Sequence, residues 1–176
     1  IVEEGTEKII QELQQSQYCV MGLTTQGLAL ATRTAQQLKE AGIKLSLTAP
    51  SEKDVYLYQQ GRGVLYRKGI LFTAGTAKGE ALFKFLEIIG YMPKRIVFIN
   101  DKEAHLADVE KTAQKLGVEF LGLRYAYSDR RKALFCPKIA EFQFANSTFS
   151  YLLTDEEARE KMNNHIPVLE EKIRGQ

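Results

Sequence analysis

Three groups of polar residues stand where a chain could bind a phosphate or a metal ion, each shortly after an apolar run. They are Thr24 with Thr25, Lys78, and Asp101. A threonine hydroxyl just before a helix can hold a phosphate oxygen together with backbone N–H groups, and a lysine can neutralise the phosphate as a point charge. A carboxylate at such a turn suits Mg²⁺, which usually takes one or two carboxylates and keeps several waters. These residue types predict a phosphate site with a magnesium ligand.

Each group also has a structural explanation, and the residues alone leave the choice open. The two threonines could simply cap a helix, and Lys78 could be a solvated surface lysine. The loop before it is not a P-loop, because Gly79 follows the lysine and the spacing from Gly75 is wrong. Asp101 could belong to an ordinary helix start, where acidic side chains interact favourably with the helix dipole.

The elements that must position these residues alternate between apolar runs and amphipathic helices. The apolar run at 18–23 predicts a strand that is covered on both faces. The runs at 95–99 and 118–123 and the segment "IKLSLTA" predict further strands. Helices are predicted between them from apolar residues at helical spacing, with Gly42 ending one of them. This alternation predicts a mostly parallel sheet with helices on both faces, whose ligands bind beyond the carboxyl ends of the strands.

Two further segments complete the predicted organisation. Residues 54–73 hold short strands parted by glycine-rich turns, which predict a β-hairpin or flap. Thr154 and Glu157 have capping-box spacing and predict the start of a last helix. We therefore expect one core domain over 1–150, with the hairpin or flap as an insertion, and a C-terminal helical segment over 151–176.

The composition is that of an ordinary globular protein, with 44% hydrophobic and 26% charged residues. A net charge of +2 is too small to indicate nucleic acid or a membrane as a partner, and no apolar run reaches the roughly 18 residues of a membrane span. Cys19 and Cys136 lack metal-ligand spacing, which favours free thiols in a reducing compartment. We expect a cytoplasmic protein that binds neither nucleic acid nor membrane.

The order of the three polar groups resembles a known superfamily. A strand ending in Thr24, a lysine before a helix at Lys78 and a strand ending in Asp101 are similar to motifs of the haloacid dehalogenase-like (HAD) phosphatases. More narrowly, "GLTTQG", "GILFTAGTAKGEALFKFL" and "RIVFINDK" resemble a bacterial family called domain of unknown function 2608. The resemblance runs from about residue 18 to residue 125. It implies an α/β fold, a HAD-like, Rossmann-like three-layer sandwich.

The resemblance also implies a role for each group. Thr24, Thr25 and Lys78 would bind the phosphoryl oxygens of a substrate, and Asp101 would be a ligand of a Mg²⁺ cofactor. Thr24, Lys78 and Asp101 together would act in hydrolysis of a small phosphorylated substrate through an aspartyl-phosphate. Such a reaction gains most from positioning and from fixed positive charge.

The chain departs from the superfamily pattern in two places. The fourth motif usually reads Gly-Asp or Asp-Asp, whereas here it reads Asn100–Asp101, and His105 stands where an acid is common. The first motif, Asp-x-Asp, which carries the nucleophile and the general acid, occurs nowhere in the 176 residues. Its strand would lie between those that carry Thr24 and Asp101, and removing it would leave two apolar edges open to aggregation.

We therefore expect an upstream segment of the protein, or a partner, to supply this central strand. With that strand, the chain would form most of the core of a Mg²⁺-dependent phosphatase. The alternative is a phosphatase-like binding or regulatory module that recognises a phosphorylated ligand without hydrolysing it. The set of Thr24, Lys78 and Asp101 favours the enzyme, and Asn100 with His105 favours the binding module.

Overall fold

The computed structural model describes residues 3–148 and 150–164. The part of the predicted C-terminal segment beyond residue 164 lies outside the described residues. The chain forms two compact units, Ile1–Ala126 and Tyr127–Gln176. The predicted division at residue 150 stays a prediction.

The first unit mixes helices with strands, which confirms the α/β class. Its strands are β1 (Gly22–Thr24), β2 (Val55–Gln59), β3 (Arg62–Arg67), β4 (Ile70–Phe72), β5 (Arg95–Asn100) and β6 (Glu119–Arg124). Its helices are α1 (Thr6–Gln15), α2 (Ala31–Glu40), α3 (Lys78–Ile88) and α4 (Glu103–Lys115), with 3₁₀ turns at Leu28–Leu30 and Leu45–Leu47.

These strands form two sheets in place of the single, mostly parallel sheet that the sequence predicts. One is a four-stranded mixed sheet of order β1-β4-β3-β2, and the other is the parallel pair β5-β6. β1 runs parallel to β4, with Thr24 opposite Phe72, whereas β3 is antiparallel to both of its neighbours. The sheet is mixed because the segment 54–73 supplies three of its four strands.

The segment 54–73, predicted as a hairpin or flap, enters the sheet because of its two tight turns. Gln60 and Gly61 have φ angles of 49° and 73°, and Lys68 and Gly69 have φ angles of 51° and 79°. Positive φ at both central residues is what the type I′ hairpin turn requires, so the chain returns on itself twice. The three strands that these turns join bury apolar side chains on both faces of the sheet.

Helices pack on both faces of the four-stranded sheet, and each face carries one apolar cluster. On one face, residues of β2, β3 and β4 pack against α3 and α4, and Tyr66 stacks on Phe85 with 4.2 Å between ring centroids. On the other face, residues of β3 and β4 pack against α2, with half-buried Leu38 and Leu45 over them. The helical spacing of Leu82, Phe85, Leu86 and Ile89 predicts an apolar stripe on α3. The first three side chains are buried, and Ile89, just after the helix, is half-buried against the same cluster.

Two of the predicted strands differ from the structure. Of the run 18–23, only its end is a strand, since β1 begins at Gly22. The segment "IKLSLTA" forms the 3₁₀ turn Leu45–Leu47 instead of a strand. Its alternating apolar residues imitate a strand pattern, but Leu45 lies over the face of the sheet and packs against the apolar cluster there.

The described part of the second unit contains the helices α5 (Asp129–Leu134), α6 (Pro137–Asn146) and α7 (Asp155–Asn164). The capping box predicted for α7 is confirmed. The Thr154 N–H donates to Glu157 Oε2 at 2.8 Å, and the Glu157 N–H donates to Thr154 Oγ1 at 3.2 Å. The two hydrogen bonds satisfy backbone donors that a helix start otherwise leaves unpaired.

Candidate functional site

β1 ends at Thr24, and hydrogen bonds fix the loop that follows it. The Thr24 carbonyl accepts from the Thr73 N–H at 2.8 Å, and Thr24 Oγ1 accepts from the Gln26 N–H at 3.2 Å. The Gln26 carbonyl in turn accepts from the Ala74 N–H at 3.1 Å. The loops after β1 and β4 are therefore joined, and Thr25 lies exposed on the first of them.

The loop between β4 and α3 places Lys78 at the first position of the helix. Two buried threonines close this loop, since Thr76 Oγ1 donates to the Thr73 carbonyl at 2.7 Å and Thr73 Oγ1 donates to the Thr76 carbonyl at 3.3 Å. Ala74 and Gly75 between them have φ angles of 49° and 79°. These left-handed residues turn the chain sharply from the strand into the helix.

Lys78 is 4% exposed, and it is the one charged side chain that is buried in the part of the chain that the structure describes. Its Nζ donates to the Leu23 carbonyl at 2.7 Å and lies 5.5 Å from the centroid of the Phe98 ring. Leu23 belongs to β1 and Phe98 to β5. The ammonium group therefore lies between the two sheets.

The surroundings of Lys78 lower its pKa to about 8, from an ordinary value of 10.5. The main cause is burial of the ammonium, which disfavours the charged form, and the nearby Lys102 acts in the same direction. Asp101 and Asp108 act in the opposite direction, because their carboxylates favour the ammonium. Asp101 and Lys78, which the sequence assigned to one site, are thus close enough to interact.

Asp108 joins the start of α3 to α4 beside this lysine. Its Oδ2 accepts the Gly79 N–H at 3.1 Å, one of the donors that a helix start leaves unpaired. A Cβ on Gly79 would lie 2.5 Å from Thr112 Oγ1 and 2.6 Å from the Asp108 carbonyl oxygen. Glycine after the lysine therefore allows the two helices to meet. No sequence signal pairs Gly79 with Asp108, because they are 29 residues apart.

In the turn after β5, Asp101 lies between Asn100 and Lys102, which are joined by a hydrogen bond. Asn100 Oδ1 accepts the Lys102 N–H at 2.9 Å and lies 3.2 Å from His105 Nδ1, which donates to it when it carries the proton. Burial lowers the pKa of His105, and the charges of Lys78 and Lys102 lower it further. His105 is therefore neutral at pH 7. Asn100 and His105, the departures from the superfamily pattern, stabilise the turn.

The described residues offer one predicted metal ligand here, not a full set. Within residues 3–148 and 150–164, no group of three or more His, Cys, Asp or Glu side chains could hold a metal ion. Asp108 already accepts a backbone N–H. Since Mg²⁺ usually keeps several waters and takes substrate oxygens, Asp101 fits as one ligand among others that these residues do not supply. No chemical step at a metal follows from them alone.

An open edge runs along each of the two strands that flank Lys78. In the described part of the chain, β1 pairs with β4 alone and β5 pairs with β6 alone. The residues on either side of Leu23 make the hydrogen bonds to β4, so the Leu23 carbonyl lies on the open edge, where Lys78 occupies it. Thr24, Lys78 and Asp101 thus gather at the mouth between two unpaired strand edges, and their chemical roles stay predictions.

Comparison with known proteins identifies the family. The sequence profile of the family described as protein of unknown function (DUF2608) matches residues 1–159. The chain belongs to this family. The narrower of the two resemblances seen in the sequence is therefore confirmed. No solved structure matches the chain.

The curated relatives are chlamydial proteins that are longer than this chain. A Chlamydia pneumoniae protein named "Putative outer membrane protein" is 26% identical over 157 residues, which are 89% of this chain and 58% of the relative. A Chlamydia muridarum protein of the same name is 24% identical over 143 residues, 81% of this chain and 53% of the relative. The chain thus spans about half the length of these relatives. Among the described residues, no helix is both long and apolar enough to cross a membrane, and the cytoplasmic location stays a prediction.

Proposed function

We propose that this chain forms most of the core of a HAD-like phosphohydrolase, which one further strand completes by docking between β1 and β5. The observation that carries the proposal is the position of the Lys78 ammonium. It lies between Leu23 of β1 and Phe98 of β5, and it interacts with Asp101. A buried cation at the mouth between two strands is suited to an anionic substrate.

The chain's own residues would bind the phosphoryl group of a small phosphorylated substrate. Thr24 Oγ1 accepts a hydrogen bond from the Gln26 N–H, which leaves its own proton to donate to a phosphoryl oxygen. Thr25, exposed beside it, offers a second hydroxyl. The Lys78 ammonium would stabilise the charge of the transferring group, and its burial strengthens that interaction because little water screens it.

The docking strand would supply the Asp-x-Asp motif that the 176 residues lack. One aspartate would attack phosphorus and form an aspartyl-phosphate as the leaving oxygen departs, and the other would protonate that oxygen and then activate water. A strand that pairs with β1 would take the Leu23 carbonyl and release Lys78 toward the substrate. A Mg²⁺ ion with Asp101 among its ligands would neutralise phosphoryl oxygens. An upstream segment of the protein or a partner chain would supply the strand. The matches cover 58% and 53% of the relatives, so proteins of this family have room for a further segment.

The test is an assay of the natively produced protein, whose intact mass is measured first. We expect a mass above 19.9 kDa and Mg²⁺-dependent release of phosphate from para-nitrophenyl phosphate. Lys78→Ala and Asp101→Asn should each lower kcat by about 100-fold or more, while Lys84→Ala, on the exposed side of the same helix, should leave it unchanged. A preparation that contains Asp-x-Asp and releases no phosphate from this or other phosphomonoesters would overturn the enzymatic proposal.

A binding module is the second candidate, and the turn after β5 favours it. His105 is neutral and holds Asn100, so the turn carries fewer acids than a magnesium site usually has. Such a module would bind orthophosphate in calorimetry, lose that binding in Lys78→Ala, and hydrolyse nothing. Hydrolysis that depends on Lys78 would exclude it.

The location of the protein has two candidates. The free cysteines favour the cytoplasm, whereas the names of the relatives favour the cell envelope. Cell fractionation of the native organism, with detection of the protein in each fraction, decides between them. The proposal of a small phosphorylated substrate, without nucleic acid or membrane as partner, holds for either location.

A further inference from the structure

A concave surface lies at the amino ends of β1 and β4, whereas the candidate site lies at their carboxyl ends. Its volume is about 460 Å³, and its walls are α2, the segment 43–46 and the turn between β3 and β4. We call it the lysine groove. Its rim carries Lys39, Lys44 and Lys68, and its floor includes Ala35, Leu38 and Leu45.

The floor of the lysine groove is continuous with the apolar core. Ala35, Leu38 and Leu45 are half-buried and pack against the cluster that contains Ile70, which also lines the groove. Pockets of 300–1,000 Å³ with mostly apolar walls and a few polar groups are typical of small-molecule sites. The floor therefore suits an aliphatic group.

The rim brings three positive charges together from three separate segments. Lys39 lies on α2, Lys44 precedes the 3₁₀ turn, and Lys68 lies at the tip of the β3–β4 turn, all with exposed side chains. Within the described residues, none of the three forms a salt bridge. The neighbouring Glu40 carboxylate accepts from Gln36 Nε2 at 2.9 Å and, in the described part of the chain, pairs with none of the three lysines. Three lysines that line one groove and form no salt bridge favour an anion in the space between them.

The walls of the groove are fixed by contacts outside it. Gln14 Nε2 on α1 donates to the Lys44 carbonyl at 2.8 Å. Gly69, with φ +79°, lies so close to the opposite wall that a Cβ would be 2.6 Å from the Leu45 carbonyl carbon. A groove held in this way needs little rearrangement to bind a ligand, which lowers the entropic cost of binding.

We propose that the lysine groove binds a fatty-acid anion, with its aliphatic chain on the floor and its carboxylate between the rim lysines. A compact anion would leave the apolar floor uncovered, and an uncharged lipid would leave the lysines without a counter-charge. A protein partner would need about 800 Å² of surface on each side, which exceeds what ten lining residues provide. The inference does not depend on the proposed phosphohydrolase.

The experiment is a titration of ¹⁵N-labelled protein with dodecanoate below its critical micelle concentration, followed by NMR. We expect saturable shifts in α2, in residues 43–46 and in residues 68–70. Dodecyltrimethylammonium, which has the same chain and the opposite charge, and acetate, which has the head group alone, should bind at least about tenfold more weakly. Shifts that do not saturate, that lie elsewhere, or that are equal for the cationic amphiphile would each overturn the proposal.

Variants locate the binding. A triple variant, Lys39→Gln with Lys44→Gln and Lys68→Gln, should weaken dodecanoate binding about tenfold, because several exposed charge contacts add up to that size. Ala35→Phe should abolish binding, because the ring fills the floor. Circular dichroism shows whether Ala35→Phe is folded, and if it is not, the triple variant decides alone. Undiminished binding by the triple variant would overturn the proposal.

A second triple variant controls for net charge. Lys8→Gln with Lys53→Gln and Lys111→Gln removes three exposed lysines that lie outside the groove. It should bind dodecanoate as the unchanged protein does, and a loss equal to that of the rim variant would overturn the proposal. Orthophosphate serves as a separate probe, since it tests Lys78 and the proposed function without the groove.

Discussion

β4 and β5 are similar as sequences and different in their surroundings. Both are continuous apolar runs, yet every residue of β4 (Ile70–Phe72) is buried, whereas Val97 and Ile99 of β5 are 54% and 58% exposed. Their partners across the parallel pair, Leu121 and Leu123 of β6, are 52% and 42% exposed. These four aliphatic side chains share one face of the two-stranded sheet.

The difference between the two sheets lies in their coverage by helices. α3 and α4 pack on one face of the four-stranded sheet and α2 packs on the other. Within the unit Ile1–Ala126, no described element packs on the face of the two-stranded sheet that carries Val97 and Ile99. An apolar run thus tells which contacts a strand is suited to make, and the tertiary structure tells whether this chain makes them. An exposed apolar face of this kind marks a surface that can pack against a further element or a partner.

The largest expected effect is the difference in stability loss when a leucine is replaced by alanine in one sheet or in the other. Leu71→Ala, at a fully buried position in β4, should lower the free energy of unfolding by about 2–5 kcal/mol because it leaves a cavity. Leu121→Ala, at a half-exposed position in β6, should lower it by less than about 1 kcal/mol. Urea denaturation of both variants measures the difference. Equal losses of unfolding free energy would mean that the face of the sheet around Leu121 is covered in solution, unlike in this structure.

The junction between the two sheets is the next place to test. α3 contacts β1, α4 contacts β5 and β6, and the two helices contact each other. Gly79→Ala should lower the free energy of unfolding by about 1–3 kcal/mol, because the new methyl group meets the Asp108 carbonyl oxygen at 2.6 Å and forces the helices apart. Gly27→Ala is the matched control, with open space around it and φ −76°. If Gly79→Ala leaves the free energy of unfolding unchanged, the two helices can move apart without loss of stability.

Replacing the buried Lys78 between the sheets should raise the free energy of unfolding, whereas the substitutions above lower it. Lys78→Met keeps the helix propensity and removes a charge whose burial lowers the pKa to about 8. Allowing for solvent screening and for the lost hydrogen bond to Leu23, it should raise the free energy of unfolding at pH 7 by about 1–2 kcal/mol.

The pH dependence gives that prediction its sign. Between pH 8 and pH 10.5 the unfolded chain keeps the lysine proton that the folded chain has released, so the unchanged protein gains stability as the pH rises through this range. The advantage of Lys78→Met should therefore shrink there. A variant that is less stable at pH 7 would mean that Lys78 contributes to stability, and so would weaken the case for its retention in a binding role.

The smallest effect concerns a feature that the two sheets share. Each has one exposed pair between an arginine and an acid, Arg67–Asp54 at 2.7 Å and Arg95–Glu119 at 2.5 Å. Double-mutant cycles to alanine should give a coupling of at most about 1 kcal/mol for both, because water and salt screen exposed pairs. A clearly larger coupling energy for Arg95–Glu119 would show that this ion pair contributes to the stability of the two-stranded sheet.

Local patterns predicted the features that depend on neighbouring residues. The capping box of Thr154 and Glu157, the left-handed Gly42 after α2 and the buried stripe of α3 all occur as expected. The partners in the capping box and in the helix end at Gly42 lie within a few residues along the chain, and the stripe of α3 follows from helical spacing alone, although its packing partners are distant. The prediction for "IKLSLTA" was wrong because its alternation is also compatible with a turn lying over a sheet, and the sheet that decides the matter lies elsewhere in the sequence.

By itself, the sequence determined the α/β class, the family, and the placing of Thr24, Lys78 and Asp101 after apolar runs, because short-range spacing fixes where strands end and helices begin. Tertiary structure decided that the strands divide into two sheets, that Lys78 reaches Leu23, 55 residues away, and that three distant lysines share one groove. Such contacts depend on how the chain closes long loops and pairs its strands. No window of neighbouring residues contains that information.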